Sequence, residues 1–159
     1  MKKAKLRGFY TIAIDQKKYS FMKSEHWKLI VDETHIGNFS DEFNIPKADE
    51  WICGSVLEHM LEDEIDKELN GIRSKVSTTG TGDIHIDLTD HFGGFRHYSE
   101  DDYARNDYPR WYLNRIRADV WDEIIKKYFV YVKIGKSYKK NEIKWLDFFG
   151  CKPRLNDNG

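Results

Sequence analysis

A chain of 159 residues, 40% hydrophobic, 33% charged and 14% aromatic, is one domain of ordinary size with enough apolar side chains for a proper core. Two cysteines are too few for a disulfide-stapled secreted scaffold, and no apolar run approaches the length that spans a bilayer. The net charge of -1 conceals three blocks: residues 1–31 carry +6, 32–107 carry -13 and 108–159 carry +6.

Met1-Lys2-Lys3 opens like a signal peptide, but the apolar stretch that follows is short and ends at Asp15 without a small-residue cleavage site. A cytoplasmic protein is expected. Leu6 to Ile14 alternates apolar and other residues, as a strand does. Tyr19–Met22 and His26–Asp32 read as two more strands, so the opening is expected to be an antiparallel meander. Glu33 to Pro46, with Gly37, Asn38, Ser40 and Asn44, reads as a loop.

Asp49 is a plausible N-cap for a long helix, because Ile52, Val56, Leu57, Met60, Leu61, Ile65, Leu69 and Ile72 recur at three- and four-residue steps. The opposite side carries Glu58, Glu62, Asp63, Glu64, Asp66 and Glu68, set against Lys67 alone. Such a side is either a solvated surface or a docking face for a basic partner. Ser77 to Gly82 reads as a flexible link, and its Gly-x-Gly precedes a strand, the wrong order for a phosphate cradle.

The stretch Gly82 to Asp102 holds three of the six histidines and six carboxylates. Asp83 to Leu88 alternates with period two, which places Asp83, His85 and Asp87 on one face of a strand. Asp90 and His91 follow, and Gly93-Gly94 allows a sharp turn that can return His97 toward that face. Carboxylates with imidazoles suit Mn, Zn or Fe, or general acid/base chemistry without a metal, whereas the plain structural alternative is a wetted outer face. Ser99 before Glu100, Asp101 and Asp102 reads as a helix start with acidic first-turn residues.

Pro109 is expected to open a second long helix with Leu113, Ile116, Val120, Trp121, Ile124 and Ile125 as its buried stripe and Arg110, Arg115, Arg117, Lys126 and Lys127 exposed. Tyr128–Ile134 reads as a strand, Asn141–Phe149 as a final strand or, in preference, a short helix, and residues from Lys152 onward as a frayed tail. Basic residues alternate with aromatics between Arg110 and Arg154, a mixture that suits phosphate contacts and base stacking.

These elements predict a single α+β domain over 1–159: a mainly antiparallel sheet of four to six strands packed by two amphipathic helices. With no catalytic signature matched, the leading expectation is a non-enzymatic inhibitor or immunity-type protein without a cofactor. Glu58, Glu62, Asp63, Glu64, Asp66, Asp101 and Asp102 then dock on a basic protein such as a nuclease. One alternative is a metal-dependent phosphodiesterase or nuclease that holds Mn, Zn or Fe with Asp83, His85, Asp87, Asp90 and His91, with Arg96 or a nearby basic residue on the phosphate. A second is direct nucleic-acid binding through Arg110, Arg115, Arg117, Lys136, Lys139 and Lys140.

Overall fold

Ile12–Asp15 (β1) and Glu33–Ile36 (β2) lie side by side in parallel, with Ile12 opposite Glu33 and Asp15 opposite Ile36. The computed structural model describes residues 8–15, 20–89, 114, 116–139 and 142–155. It divides the chain into two units, Met1–Ile45 and Pro46–Gly159. Parallel neighbours cannot be joined by a hairpin, and part of the connection in the first unit is a 3-10 turn at Ser20–Lys23 and one helical turn at Glu25–Lys28. Ser24 caps that turn, its Oγ accepting the Trp27 N–H at 3.2 Å. Thr11 and Asp32 tie the ends of the crossover together: the Thr11 N–H donates to Asp32 Oδ2 at 2.9 Å, and the Asp32 N–H returns to the Thr11 carbonyl at 2.9 Å.

The antiparallel meander is therefore overturned. Ser20–Met22 and His26–Asp32 do not form strands, because windows this short are equally compatible with one turn of helix and an extended exit, and Tyr19 lies outside the described residues. The expected loop contains β2.

In the second unit Ala48–Gly54 (β3), Glu62–Lys75 (α1) and Val76–Asp87 (β4) form a β-α-β crossover, with β3 and β4 parallel. Ala118–Tyr128 (α2), Phe129–Val130 (β5), Lys133–Lys139 (β6) and Glu142–Pro153 (β7) complete it. β7 runs antiparallel to three partners, with β4 along one edge and β6 and then β5 along the other. The mainly antiparallel α+β sheet is thus corrected to a mixed sheet whose oldest pairing in chain order is parallel.

The side chains obey the strand period. Gly80, Gly82, Ile84 and Ile86 of β4 are buried, as are Cys53 of β3 and Leu146, Phe148 and Cys151 of β7. They meet Ile65, Leu69 and Ile72 of α1 and Trp121 and Ile125 of α2, all at or below 1% exposure. The reverse face carries Ile52, Asp83, His85, Asp87, Trp145, Asp147 and Phe149, with Ile52 66% exposed. Helical periodicity over 49–61 was misleading because Trp51-Ile52-Cys53 is a strand, ended by Gly54 and the positive φ of 52° at Ser55. Likewise Glu142–Pro153 is a strand with Leu146 and Phe148 inward, and Lys152 and Pro153 belong to it. The second helix begins at Ala118, and Asn114, Ile116 and Arg117 before it are not helical. The helix expected after Ser99 and the start at Pro109 lie outside the described residues.

Two glycines of the expected link are strand positions where bulk is excluded. At Gly82 an added Cβ would run into the Trp51 indole, which stacks on Phe129 with ring centroids 5.1 Å apart. Among the described residues no helix is long and apolar enough to cross a membrane. Gly82→Val should lower stability by about 1–3 kcal/mol in urea unfolding, although β propensity alone would favour valine. An unchanged or raised midpoint would show that the Trp51 approach does not constrain the strand.

Candidate functional site

In open α/β sheets, ligands bind outside the carboxyl ends of the parallel strands. Here those ends are Gly54 of β3 and Asp87 of β4, and a set of polar contacts joins them. The Ser55 N–H donates to the His85 carbonyl at 3.0 Å, extending the β3–β4 ladder past Gly54. Ser55 itself sits at φ 52°, a left-handed conformation that is uncommon outside glycine and concentrates at functional turns. A 3-10 turn at Leu57–His59 follows.

Glu58 on that turn is 1% exposed, and its Oε1 accepts the Asp87 N–H at 3.1 Å. Its main-chain carbonyl accepts the Asn114 N–H at 2.8 Å, and the Asn114 side-chain amide donates to the Leu57 and Met60 carbonyls at 2.8 and 3.1 Å. Asn114 Oδ1 is buried with no hydrogen-bond partner among the described residues. Asp87 Oδ1 accepts the Thr89 N–H at 2.8 Å, which turns the chain directly after β4. Cys53 is not a nucleophile in this setting: burial pushes its thiol well above the ordinary range, and the Glu58 and Glu68 charges push it further. Burial and the Asp83 charge likewise push Cys151 up to about 12.

The expected acidic face divides. Glu62, Asp63 and Glu64 form the first turn of α1, where the helix dipole favours carboxylates, and Asp66 stands 3.8 Å from Lys127. Glu58 is buried, so it is not part of that surface. Asp101 and Asp102 lie outside the described residues, as do Asp90, His91, Arg96, Arg110, Arg115 and Lys140.

Asp83, His85 and Asp87 do share a face of β4, but each is committed elsewhere. Asp83 Oδ1 accepts the Gly150 N–H at 2.9 Å, and His85 Nδ1 meets Asp147 Oδ1 at 2.5 Å. Alternate residues of a strand stand roughly 7 Å apart, too far for one small ion without a turn that folds them together. No group of three or more potential metal ligands occurs among the described residues. Of the basic candidates, Arg117 immediately precedes α2 and pairs with Asp119, whose carboxyl it holds below the usual range. Lys136 is exposed on β6, and Lys139 ends that strand.

Sequence reasoning missed Ser55, Asn114 and Asp147. No local signal marks the last two, whose partners lie 54–62 residues away in the chain. The Gly-Ser pair that ends β3 was the available sign of a strand terminus.

No protein-family model and no curated protein matches the sequence. Solved structures do. PH0226 protein from Pyrococcus horikoshii OT3 aligns at TM-score 0.65 and 12% identity over 94% of this chain and 76% of its own. The Burkholderia thailandensis 1,6-didemethyltoxoflavin-N1-methyltransferase, with 1,6-didemethyltoxoflavin and S-adenosylhomocysteine bound, gives 0.65 and 16% over 94% of this chain and 64% of its own. An S-adenosylmethionine-dependent methyltransferase from Clostridium acetobutylicum ATCC 824 gives 0.62 and 10% over 91% and 75%. At these identities the likeness establishes the fold, the Rossmann-like architecture on which such methyltransferases are built.

That likeness overturns the inhibitor or immunity-type reading and the phosphodiesterase or nuclease alternative. Expectations of no cofactor, or of Mn, Zn or Fe, fall with them, since neighbours of this fold carry S-adenosylhomocysteine. The inhibitor reading failed because it weighed charge blocks along the chain, which say little about which end of a sheet is concave.

Glu58→Ala should destabilise the second unit by about 1–3 kcal/mol, because it removes the acceptor that the half-buried Asp87 N–H uses. Glu58→Gln, which keeps an oxygen in place, should lose less. Equal losses for the two, measured by urea unfolding, would assign the effect to charge instead of to the hydrogen bond.

Proposed function

We propose that the chain is a methyl-transfer domain that binds S-adenosylmethionine at the carboxyl ends of β3 and β4. The observation that carries this reading is the likeness of 94% of the chain to the Burkholderia methyltransferase. The donor set fits the group. Asn114 Oδ1 offers a buried acceptor with no partner among the described residues, suited to an amino or hydroxyl hydrogen. Carboxylates of Glu58 and Asp87 make the strand ends electronegative, which suits a ligand carrying a sulfonium and an ammonium charge. The absence of a glycine-rich phosphate cradle is consistent with a cofactor that has no phosphate.

Ser55, Asp87 and Asn114 are the residues that would hold the ligand. When bound, S-adenosylmethionine supplies an electrophilic methyl group on sulfur. The chain's own contribution is positional: Glu58 fixes the spacing of the two strand ends, and the Asp87–Thr89 contact shapes the rim. A cytoplasmic setting accords with Cys53 and Cys151, both buried as free thiols.

Isothermal titration with S-adenosylmethionine and S-adenosylhomocysteine tests the reading. One site per chain is expected, weakened about tenfold by Asp87→Ala and unchanged by Lys133→Ala on β6. A folded wild-type chain that binds neither ligand would sink it.

A further inference from the structure

The amino ends of β3 and β4, at the opposite end of the sheet from the strand ends just described, border a cavity of about 410 Å3. Lys47, Arg73 and Arg154 line it, and among the described residues no carboxylate does. This is notable in a stretch whose net charge is -13, because two of the three cations, Lys47 and Arg73, come from that stretch. Like charges gathered at one place repel unless something compensates them.

The adjacent carboxyl end of α1 compensates only in part. Its dipole is worth roughly half a negative charge, against three positive side chains. Lys47 already answers it by donating to the Ser74 carbonyl in the last turn of the helix. Arg73 lies over the Tyr128 ring, 5.7 Å from its centroid, and donates to Asn70 Oδ1 at 2.6 Å, two contacts that orient the guanidinium. Arg154 is placed by its main-chain N–H, which donates to the Tyr128 carbonyl at 2.8 Å, and its guanidinium has no ion pair among the described residues. Asp49 accepts the Ser77 hydroxyl at 3.0 Å but does not line the cavity.

Two further features narrow the ligand. Thr78 brings a hydroxyl to the same wall, and guanidinium and ammonium groups beside a hydroxyl match the oxygens of a phosphate. Val76, Pro153 and Leu155 make the rest of the wall apolar, with Leu155 71% exposed at its edge. The volume lies within the common range for small organic ligands. We infer that this cavity binds a phosphorylated small molecule with a flat organic part, of the nucleoside diphosphate class. Its phosphates lie among Lys47, Arg73 and Arg154, and its ring lies against Val76, Pro153 and Leu155.

The test is isothermal titration of the full chain with ADP, adenosine and inorganic pyrophosphate, each with and without saturating S-adenosylhomocysteine. One ADP per chain is expected, with adenosine binding at least about tenfold more weakly. Arg154→Glu and Lys47→Glu should each weaken ADP by about tenfold or more, with circular dichroism unchanged, and S-adenosylhomocysteine should leave ADP affinity within about twofold. The inference is overturned if neither ADP nor pyrophosphate binds, if adenosine binds as well as ADP, or if both charge reversals leave ADP affinity intact. Competition by S-adenosylhomocysteine would place the nucleotide at the carboxyl ends of the strands and overturn it also. Failure of S-adenosylhomocysteine to bind at all would bear on the methyl-transfer reading alone.

Discussion

A single buried carboxylate sets the geometry at the business end of the larger unit. Glu58 reaches from the turn after β3 to the last amide of β4, and its own carbonyl receives Asn114. Three stretches far apart in sequence are therefore referred to one residue. A carboxylate at 1% exposure is costly to bury. Here it accepts the Asp87 N–H at 3.1 Å, a bond that ties the turn after β3 to the end of β4. An apolar residue of the same size would fill the space but remove the acceptor that Glu58 gives the Asp87 amide.

The sheet around it has two unlike faces. One is dry, built from alternate residues of β3, β4 and β7 against α1 and α2. On the other, polar side chains are used to hold strands in register: Asp83 receives the Gly150 amide, and His85 meets Asp147. Gly150 sits at φ 64°, with Val132 Cγ2 2.9 Å from where a Cβ would lie, so only glycine suits the kink that Asp83 secures. Asp83 and His85, which read along the chain as part of a cluster for a metal, are in space stitches between strands.

Legibility followed the length of each periodic run. Asp83–Leu88 announced β4 because its alternation is strict over six residues, and Ile65, Leu69 and Ile72 announced α1 because they hold a helical stripe over two turns. Trp51-Ile52-Cys53 is too short for its period to be decided, and the neighbouring Val56 and Leu57 completed a false helical stripe. Glu142–Pro153 mixes inward Leu146 and Phe148 with outward Trp145 and Phe149, so apolar residues on both sides hid the alternation. Parallel pairing left no trace, since nothing in β1 or β2 states which neighbour it will meet. Of the site, Asp87 was visible as a strand-end carboxylate and Glu58 was seen but placed outside, because burial of a charge is decided by tertiary partners.

The position of β7 bears on how the larger unit comes to exist. It is the last described strand in chain order, yet it lies in the middle of the sheet, between β4 on one edge and β5 and β6 on the other. As the chain leaves the ribosome, β3, α1 and β4 emerge with one edge of β4 bare, and they stay so until about sixty further residues have been made. The nascent sheet must wait for its keystone. Loss of the final dozen strand residues would remove the centre of the sheet, leaving exposed amide edges on both remaining halves.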